Sequence, residues 1–305
     1  MGERLRQALL PDGSLLLDVD ERLERLVSPW VLIGRETAAG HAESAAARVF
    51  VHEAVLFGVE APAATPTLRV GTVGVWLGHD SHRAVLGATE RDCAGAVDLE
   101  FLQATLIAAA APGVAPRLQA MLTLASALLM GRLGRALVSA SAVIRPSGGA
   151  WLVAGCEGAG RTTTALRLAS AGWLCVSAER AVLRQEGVRG VVVEGWPEPA
   201  LAGETGWESS RAAMPAAEVE GVLLLRHEPA EPTRLVPGPD VDVLEALGTS
   251  SPWLHLDPSG ASGVLRAMRH GLRLPVYELH LGLDTYANAE RLADVLAPLP
   301  QSRLH

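Results

Sequence analysis

Apolar residues along this chain fall into short blocks separated by polar turns. Leu15–Val19 and Trp30–Gly34 are two such blocks, and residues 13–60 read as short strands and turns. Arg48–Val59 alternates imperfectly and predicts a strand ending at Gly58. Ala61–Pro66 carries two prolines and predicts a loop. Leu68–Leu77 and His82–Leu86 predict a hairpin around the polar turn Gly78-His79-Asp80-Ser81. Two helices are expected next. Asp98 is placed to cap the first, which runs to about Ala111 before Pro112-Gly113 stops it. The second runs from about Ala115 to Leu133 with Pro116 in its first turn. Its Leu118, Met121, Leu122, Ala125, Leu128 and Leu129 recur at helical spacing and predict one buried stripe.

From Ala136 onward the pattern becomes one of apolar strands alternating with loops. Ala136–Ile144 and Trp151–Ala154 are predicted strands, joined by the turn Pro146-Ser147-Gly148-Gly149. A glycine-rich loop, a helix and a strand at Trp173–Ser177 follow. Later strands are expected at Gly190–Glu194, Gly221–Arg226 and Val276–Leu281, and a last helix at about Tyr286–Leu296. The proline-rich segment Pro229–Pro239 reads as a loop. This change of texture divides the chain into an N-terminal region, 1–135, and a second domain, 136–305.

The 305 residues are 49% hydrophobic and 20% charged, enough apolar material for a sizeable core. A net charge of −8 leaves no basic surplus for a nucleic-acid partner. All 26 basic residues are arginine, so no chemistry that needs a lysine amine is available. Cys93, Cys156 and Cys175 have no paired spacing, as in a protein kept in a reducing compartment. The opening MGERLRQALLPDGS does not read as a signal peptide. The most apolar stretches, Leu102–Ala111 and Leu118–Gly131, fall short of the ~20 residues needed to span a bilayer. A soluble, cytoplasmic protein without a membrane span is the expectation.

The strongest local signal is AWLVAGCEGAGRTTTALRLASAGWLCVS, Ala150–Ser177. Gly155 and Gly160 have the spacing G-x-x-x-x-G, followed by Arg161 and Thr162, where a P-loop has lysine and then serine or threonine. Gly155, Gly158 and Gly160 permit the backbone angles and close approach that let N–H groups surround a phosphate. A helix beginning near Arg161–Thr163 would aim its N-terminus at that phosphate. The candidate nucleotide site is therefore Gly155, Gly158, Ala159, Gly160, Arg161, Thr162 and Thr163. The Thr162 hydroxyl is the candidate for Mg²⁺. An apolar strand before the loop and the stop at Gly172 complete an expected βαβ unit. Arg161 keeps the positive charge but is planar and forked, so it does not reproduce a lysine's point contact.

These residues and their surroundings resemble the HPr serine kinase/phosphorylase family, particularly its shorter bacterial relatives. Ser139-Ala140-Ser141-Ala142-Val143 resembles that family's His-Ala-Ser-Ala-Val-like strand before the loop. Ala171-Gly172-Trp173 and Val176-Ser177-Ala178-Glu179 resemble its helix end and its strand ending in an Asp-Asp pair. Trp196-Pro197-Glu198-Pro199-Ala200-Leu201, Val219–Arg226 and Leu274-Pro275-Val276-Tyr277-Glu278-Leu279 are further similar segments, as are the Trp76–Leu86 hairpin and the two helices expected after it. The resemblance implies an α/β fold: a P-loop mixed sheet with flanking helices, akin to HPr kinase and phosphoenolpyruvate carboxykinase, preceded by an α+β region.

The resemblance also implies what is missing. The family's P-loop lysine is Arg161 here, its strand histidine is Ser139, and the first Asp of its pair, the base, is Ala178. Glu179, in place of the second Asp, remains as a metal ligand with Thr162. Three departures at one site point to a catalytically impaired relative, a pseudokinase, in which ATP and Mg²⁺ binding is weak or lost. Such a protein is expected to bind or scaffold a protein or peptide partner. The short relatives accompany enzymes that modify ribosomal peptides, which makes a peptide-biosynthesis partner reasonable. The alternatives are an active, atypical ATP-dependent serine/threonine kinase and a nucleotide-responsive regulator without turnover. Seven tryptophans against three phenylalanines and two tyrosines, together with the family's oligomeric habit, raise the expectation of a homo-oligomer or hetero-complex. His79, Asp80 and His82 read as a solvated hairpin tip, as do Asp18, Asp20 and Glu21 as a turn, and Gly203–Arg211 as a surface loop. Cys156 lies inside the glycine loop.

Overall fold

The protein is described by a computed structural model over residues 4–10, 12–31, 45–54, 62–78, 82–187, 190–196, 216–238, 247–248, 250–256, 274–285 and 288–300. The chain divides into two compact units, one of residues 1–134 with 202–213 and 252–261, the other of the remainder.

The first unit is a mixed sheet with helices. Its elements are β1 (Arg4–Ala8), β2 (Leu15–Asp20), α1 (Glu24–Val31), β3 (Ala47–Glu53), β4 (Leu68–Val70), β5 (Val73–Leu77), β6 (Arg83–Ala88), β7 (Cys93–Asp98), β8 (Gln103–Ala108) and α2 (Ala115–Arg132). The eight strands run in the order β1-β2-β3-β8-β7-β6-β5-β4, with β3 parallel to both β2 and β8 and every other pair antiparallel. Helix α2 packs on β7, β8 and β3, while α1 and the short turn Pro252–His255 meet it as well. That explains why burial on α2 exceeds the single predicted stripe. Leu124, Thr123, Ser126 and Met130 are buried along with Leu118, Met121, Leu122, Ala125, Leu128 and Leu129.

Four expectations for this unit are corrected. Leu68–Leu77 is not one strand: Gly71, at a φ of 56°, turns it into the antiparallel pair β4 and β5. Asp18 is buried within β2 and is not part of a solvated turn. Residues 98–111 form no helix: Asp98 closes β7, and Gln103–Ala108 returns as β8. The Asp98 carboxylate accepts the N–H groups of Glu100 and Phe101, both at 3.0 Å, and Leu102 takes a left-handed φ of 53° to finish the turn. An aspartate that caps orphan N–H groups serves a tight turn as well as a helix start. The block at Trp30 is the end of α1 rather than a strand, and residues 32–34 lie outside the described residues.

The second unit contains β9 (Arg135–Val138), β10 (Ser141–Ile144), β11 (Ala150–Ala154), α3 (Arg161–Ser170), β12 (Leu174–Ser177), β13 (Ala181–Glu186), β14 (Gly190–Gly195), β15 (Ala217–His227), β16 (Arg234–Pro237), β17 (Val276–Leu281) and α4 (Ala289–Leu296). Its sheet order is β12-β10-β11-β15-β14-β13-β9, with β17 pairing β15 and β16. Strand β15 carries most of this sheet. Its first residues pair with β14, and from Val219 it runs parallel to β11 and then to β17.

The predicted strand Ala136–Ile144 is two strands bent at Ser139-Ala140. One half, β9, pairs with β13; the other, β10, lies between β11 and β12. The βαβ unit is therefore not a pair of neighbours, because antiparallel β10 separates β11 from β12. The segment Pro229–Pro239 includes the short strand β16, which among the described residues pairs with β17 alone; proline is tolerated there because an edge strand leaves one side without ladder partners. Helix α4 begins at Ala289, capped by the Asn288 side chain accepting from Arg291 N–H at 3.1 Å.

Arg145 joins the end of this unit to its sheet. Its guanidinium donates to the carbonyls of Leu299 at 2.9 Å and Pro300 at 2.7 Å, reaches Glu220 at 3.4 Å, and lies 5.8 Å from the centroid of buried Trp151. Burial decides its worth. The Arg145–Glu220 side chains are 6% and 11% exposed, whereas the Arg22–Glu53 pair, at a similar 3.3 Å, is 80% and 29% exposed. Removing one partner of a buried pair costs ~3–5 kcal/mol, against about 0–1 for a surface pair. Urea unfolding should therefore show Arg145→Ala losing several kcal/mol and Arg22→Ala almost nothing. Equal losses would refute this assignment.

Candidate functional site

The glycine loop joins the buried strand β11 to the N-terminus of α3, as the sequence pattern predicts. Gly158 and Gly160 take left-handed φ angles of 80° and 92°, which favour glycine. Gly155 is favoured for a different reason: a Cβ there would stand a tight 3.0 Å from the Ala159 Cβ and 3.3 Å from the Leu225 Cβ. Ala159 N–H donates to the Cys156 carbonyl at 3.1 Å, closing the loop on itself. At the far end of α3, Gly172 takes a φ of 90°, Trp173 N–H returns to Leu168, and Gly172 N–H to Ala169, stopping the helix.

The helix start is set against a double bend. Val138 pairs with Ala181 and Ala142 with Ser177, so residues 139–141 and 178–180 are the corners of two antiparallel strands that bend side by side. A bend breaks the ladder and strands backbone groups that must find other partners. The Arg161 guanidinium donates through Nη1 to the Ser139 carbonyl and, at 2.7 Å, to the Ser139 hydroxyl. Ser139 N–H donates to Ser251 Oγ at 2.7 Å, and Ser250 Oγ donates to the Ser139 carbonyl at 3.2 Å. The Ala178 carbonyl accepts from Thr162 Oγ1 at 3.2 Å and from the Ser141 hydroxyl. The first two residues of α3 thus each hold one corner.

The structure brings the expected residues Ser139, Arg161, Thr162 and Ala178 together, with Gly155, Gly158, Ala159 and Gly160 in the adjoining loop. Thr163, at the same helix start, is exposed. Ala178 is fully buried, with a methyl group where the resemblance places a base. Glu179, next along, is partly exposed and pairs with Arg180 at 3.4 Å. Burial, and then the neighbouring Arg180, push the Arg161 guanidinium below its usual value. Among the described residues no group of three or more His, Cys, Asp and Glu side chains is arranged to hold a metal. His79 and Asp80 and the loop 203–211 lie outside the described residues, as do Pro197–Leu201. Ser250 and Ser251 carry no motif that sequence reasoning would have found; they meet Ser139 only through the fold.

Neither known protein families nor curated proteins match the chain. Among solved structures, the HPr(Ser) kinase/phosphatase from Coxiella burnetii is similar over 52% of this chain and 93% of its own, at 13% identity and a TM-score of 0.29. That is a distant structural likeness. No helix among the described residues is long and apolar enough to cross a membrane.

The cysteines provide a direct check on the loop. Cys156 is exposed, while Cys93 and Cys175 are buried. Burial, reinforced by the Asp92 carboxylate, pushes the Cys93 thiol up to about 12. Brief alkylation of the native protein at neutral pH, read by peptide mass spectrometry, should label Cys156 alone. Denaturation should expose the other two. Native labelling of Cys93 at a comparable rate would contradict this placement.

Proposed function

We propose that the chain is a catalytically impaired HPr kinase-like protein that serves as a binding or scaffolding subunit for a protein or peptide partner. The observation that carries this reading is Ala178, a buried methyl group whose carbonyl is already engaged by Thr162 and Ser141. A methyl accepts no proton, and a general base is worth ~10²–10⁴-fold in rate. Phosphoryl transfer also needs an ordered phosphate and a metal. Gly155–Thr163 would hold the phosphate, and Thr162 with Glu179 the Mg²⁺. The donor set fits the metal poorly, because Thr162 donates to a carbonyl and Glu179 faces Arg180. Arg161 in place of a lysine weakens phosphate charge stabilisation further. Losing a charge-assisted contact to buried phosphate costs ~1.5–3 kcal/mol, roughly ten- to a hundredfold in affinity.

The unmodified protein should therefore show no ATP-dependent phosphorylation of protein or peptide above background, and a weak or absent thermal shift with nucleotide and Mg²⁺. Arg161→Lys should improve nucleotide binding first, and Ala178→Asp should be required in addition for any turnover. Robust phosphoryl transfer by the wild type, abolished by Thr162→Ala, would replace this reading with that of an atypical kinase.

The scaffolding role carries its own expectation. Light scattering should give a homo-oligomer, or a pull-down should recover an obligate partner. A clean 32.0 kDa monomer with no partner recovered would count against it.

A further inference from the structure

Arg161 does two incompatible things in the proposed site. As the residue after the glycine loop it stands at the helix start where a phosphate would be met. In the structure, its Nη1 is committed to the carbonyl and hydroxyl of Ser139. Both acceptors are neutral; burial and then the nearby Arg180 guanidinium disfavour the charge on Arg161, and the Glu179 and Glu157 carboxylates offset this only in part. Its bonds to Ser139 are already charge-assisted through the donor, but an anionic acceptor would add direct charge–charge attraction and a bidentate geometry that a neutral carbonyl and hydroxyl do not offer.

The corner it holds is short. Only Ser139 and Ala140 separate β9 from β10. Among the described residues, the hydrogen-bond partners of Ser139 besides Arg161 are the Ser250 and Ser251 hydroxyls, at 3.2 and 2.7 Å. Thr162 holds the opposite corner through Ala178 from the next position of the same helix turn.

We propose that Arg161 is an internal latch: it closes on Ser139 in the resting protein, and phosphate entering the glycine loop draws it away and loosens the β9–β10 corner. This rests on the reading that the loop retains some phosphate affinity. The forked guanidinium suits this role, since Nη1 meets the carbonyl and hydroxyl of Ser139 while the same planar group carries further donors, on Nε and Nη2, with which to meet an anion. Phosphate binding then reports to the sheet without any phosphoryl transfer.

The test is hydrogen exchange of the full chain with and without inorganic pyrophosphate, the smallest probe with adjacent phosphates. In the wild type, pyrophosphate should slow exchange over residues 156–162 and speed it over 139–142. Ser139→Ala removes one acceptor of the latch. It should tighten pyrophosphate binding by up to roughly ten- to a hundredfold, the worth of one hydrogen bond to a charged group, and shrink the response at the corner. Should that variant fail to fold, the wild-type comparison decides alone. Loop protection with an unchanged or slowed corner would overturn the latch and leave phosphate binding standing. No loop protection in either protein would overturn it as well. Phosphoryl transfer by the wild type would remove the impaired-kinase reading without bearing on the latch.

Discussion

Two neighbouring strands of the second unit bend at the same level, at 139–141 and 178–180, and each bend takes backbone groups out of the ladder. Buried N–H and C=O groups without partners are costly, so the fold needs donors and acceptors delivered from outside the sheet. Helix α3 supplies them from its first turn, and the glycine loop fixes where that turn begins. Gly158 and Gly160 make the chain reverse within a few residues of β11, which puts Arg161 over one corner and Thr162 over the other. Serines complete the set: Ser141 between the corners, Ser250 and Ser251 from beyond β16, and Ser177 closing onto the Arg180 carbonyl. Small hydroxyls suit this task because they both donate and accept while occupying little space.

Arginine does the heavier polar work throughout the chain. Arg145 reaches two carbonyls and a carboxylate while lying over Trp151. Arg117 at the start of α2 forks onto Asp92, with its Nε at 2.9 Å, and so joins the helix to the strand edge. Each contact uses several donors of one planar group, which a single ammonium matches less well. A chain without lysine is thus well supplied for tying backbone carbonyls and carboxylates to side chains.

The glycine loop, its flanking strand and its helix were legible because their signals are local: an apolar run, glycines at fixed spacing, and Gly172 at the helix end. The double bend was not. Ala136–Ile144 is apolar throughout, and no residue in it announces a change of pairing partner at Ser139. Strand β8 was hidden for another reason. In Gln103-Ala104-Thr105-Leu106-Ile107-Ala108 the alternating burial is carried largely by alanine, which fits a helix equally well, and Asp98 caps a turn with the same chemistry as a helix start. The partners of Arg161 came from residues 22 positions earlier in the chain, and those of Ser139 from 111 and 112 positions later. No spacing rule reaches that far.

Thr162 and, in part, Arg161 address main-chain carbonyls at the bends. The carbonyl of residue 178 is present whatever side chain that residue carries, and so is the carbonyl of residue 139. Architecture and chemistry are therefore separable at these two positions. A side chain with a reactive duty can be exchanged there for a methyl or a hydroxymethyl while the helix turn still finds its acceptors. The main-chain acceptors of the helix turn are not altered by the exchange. Such positions allow a protein to drift from catalysing a reaction to merely holding its shape.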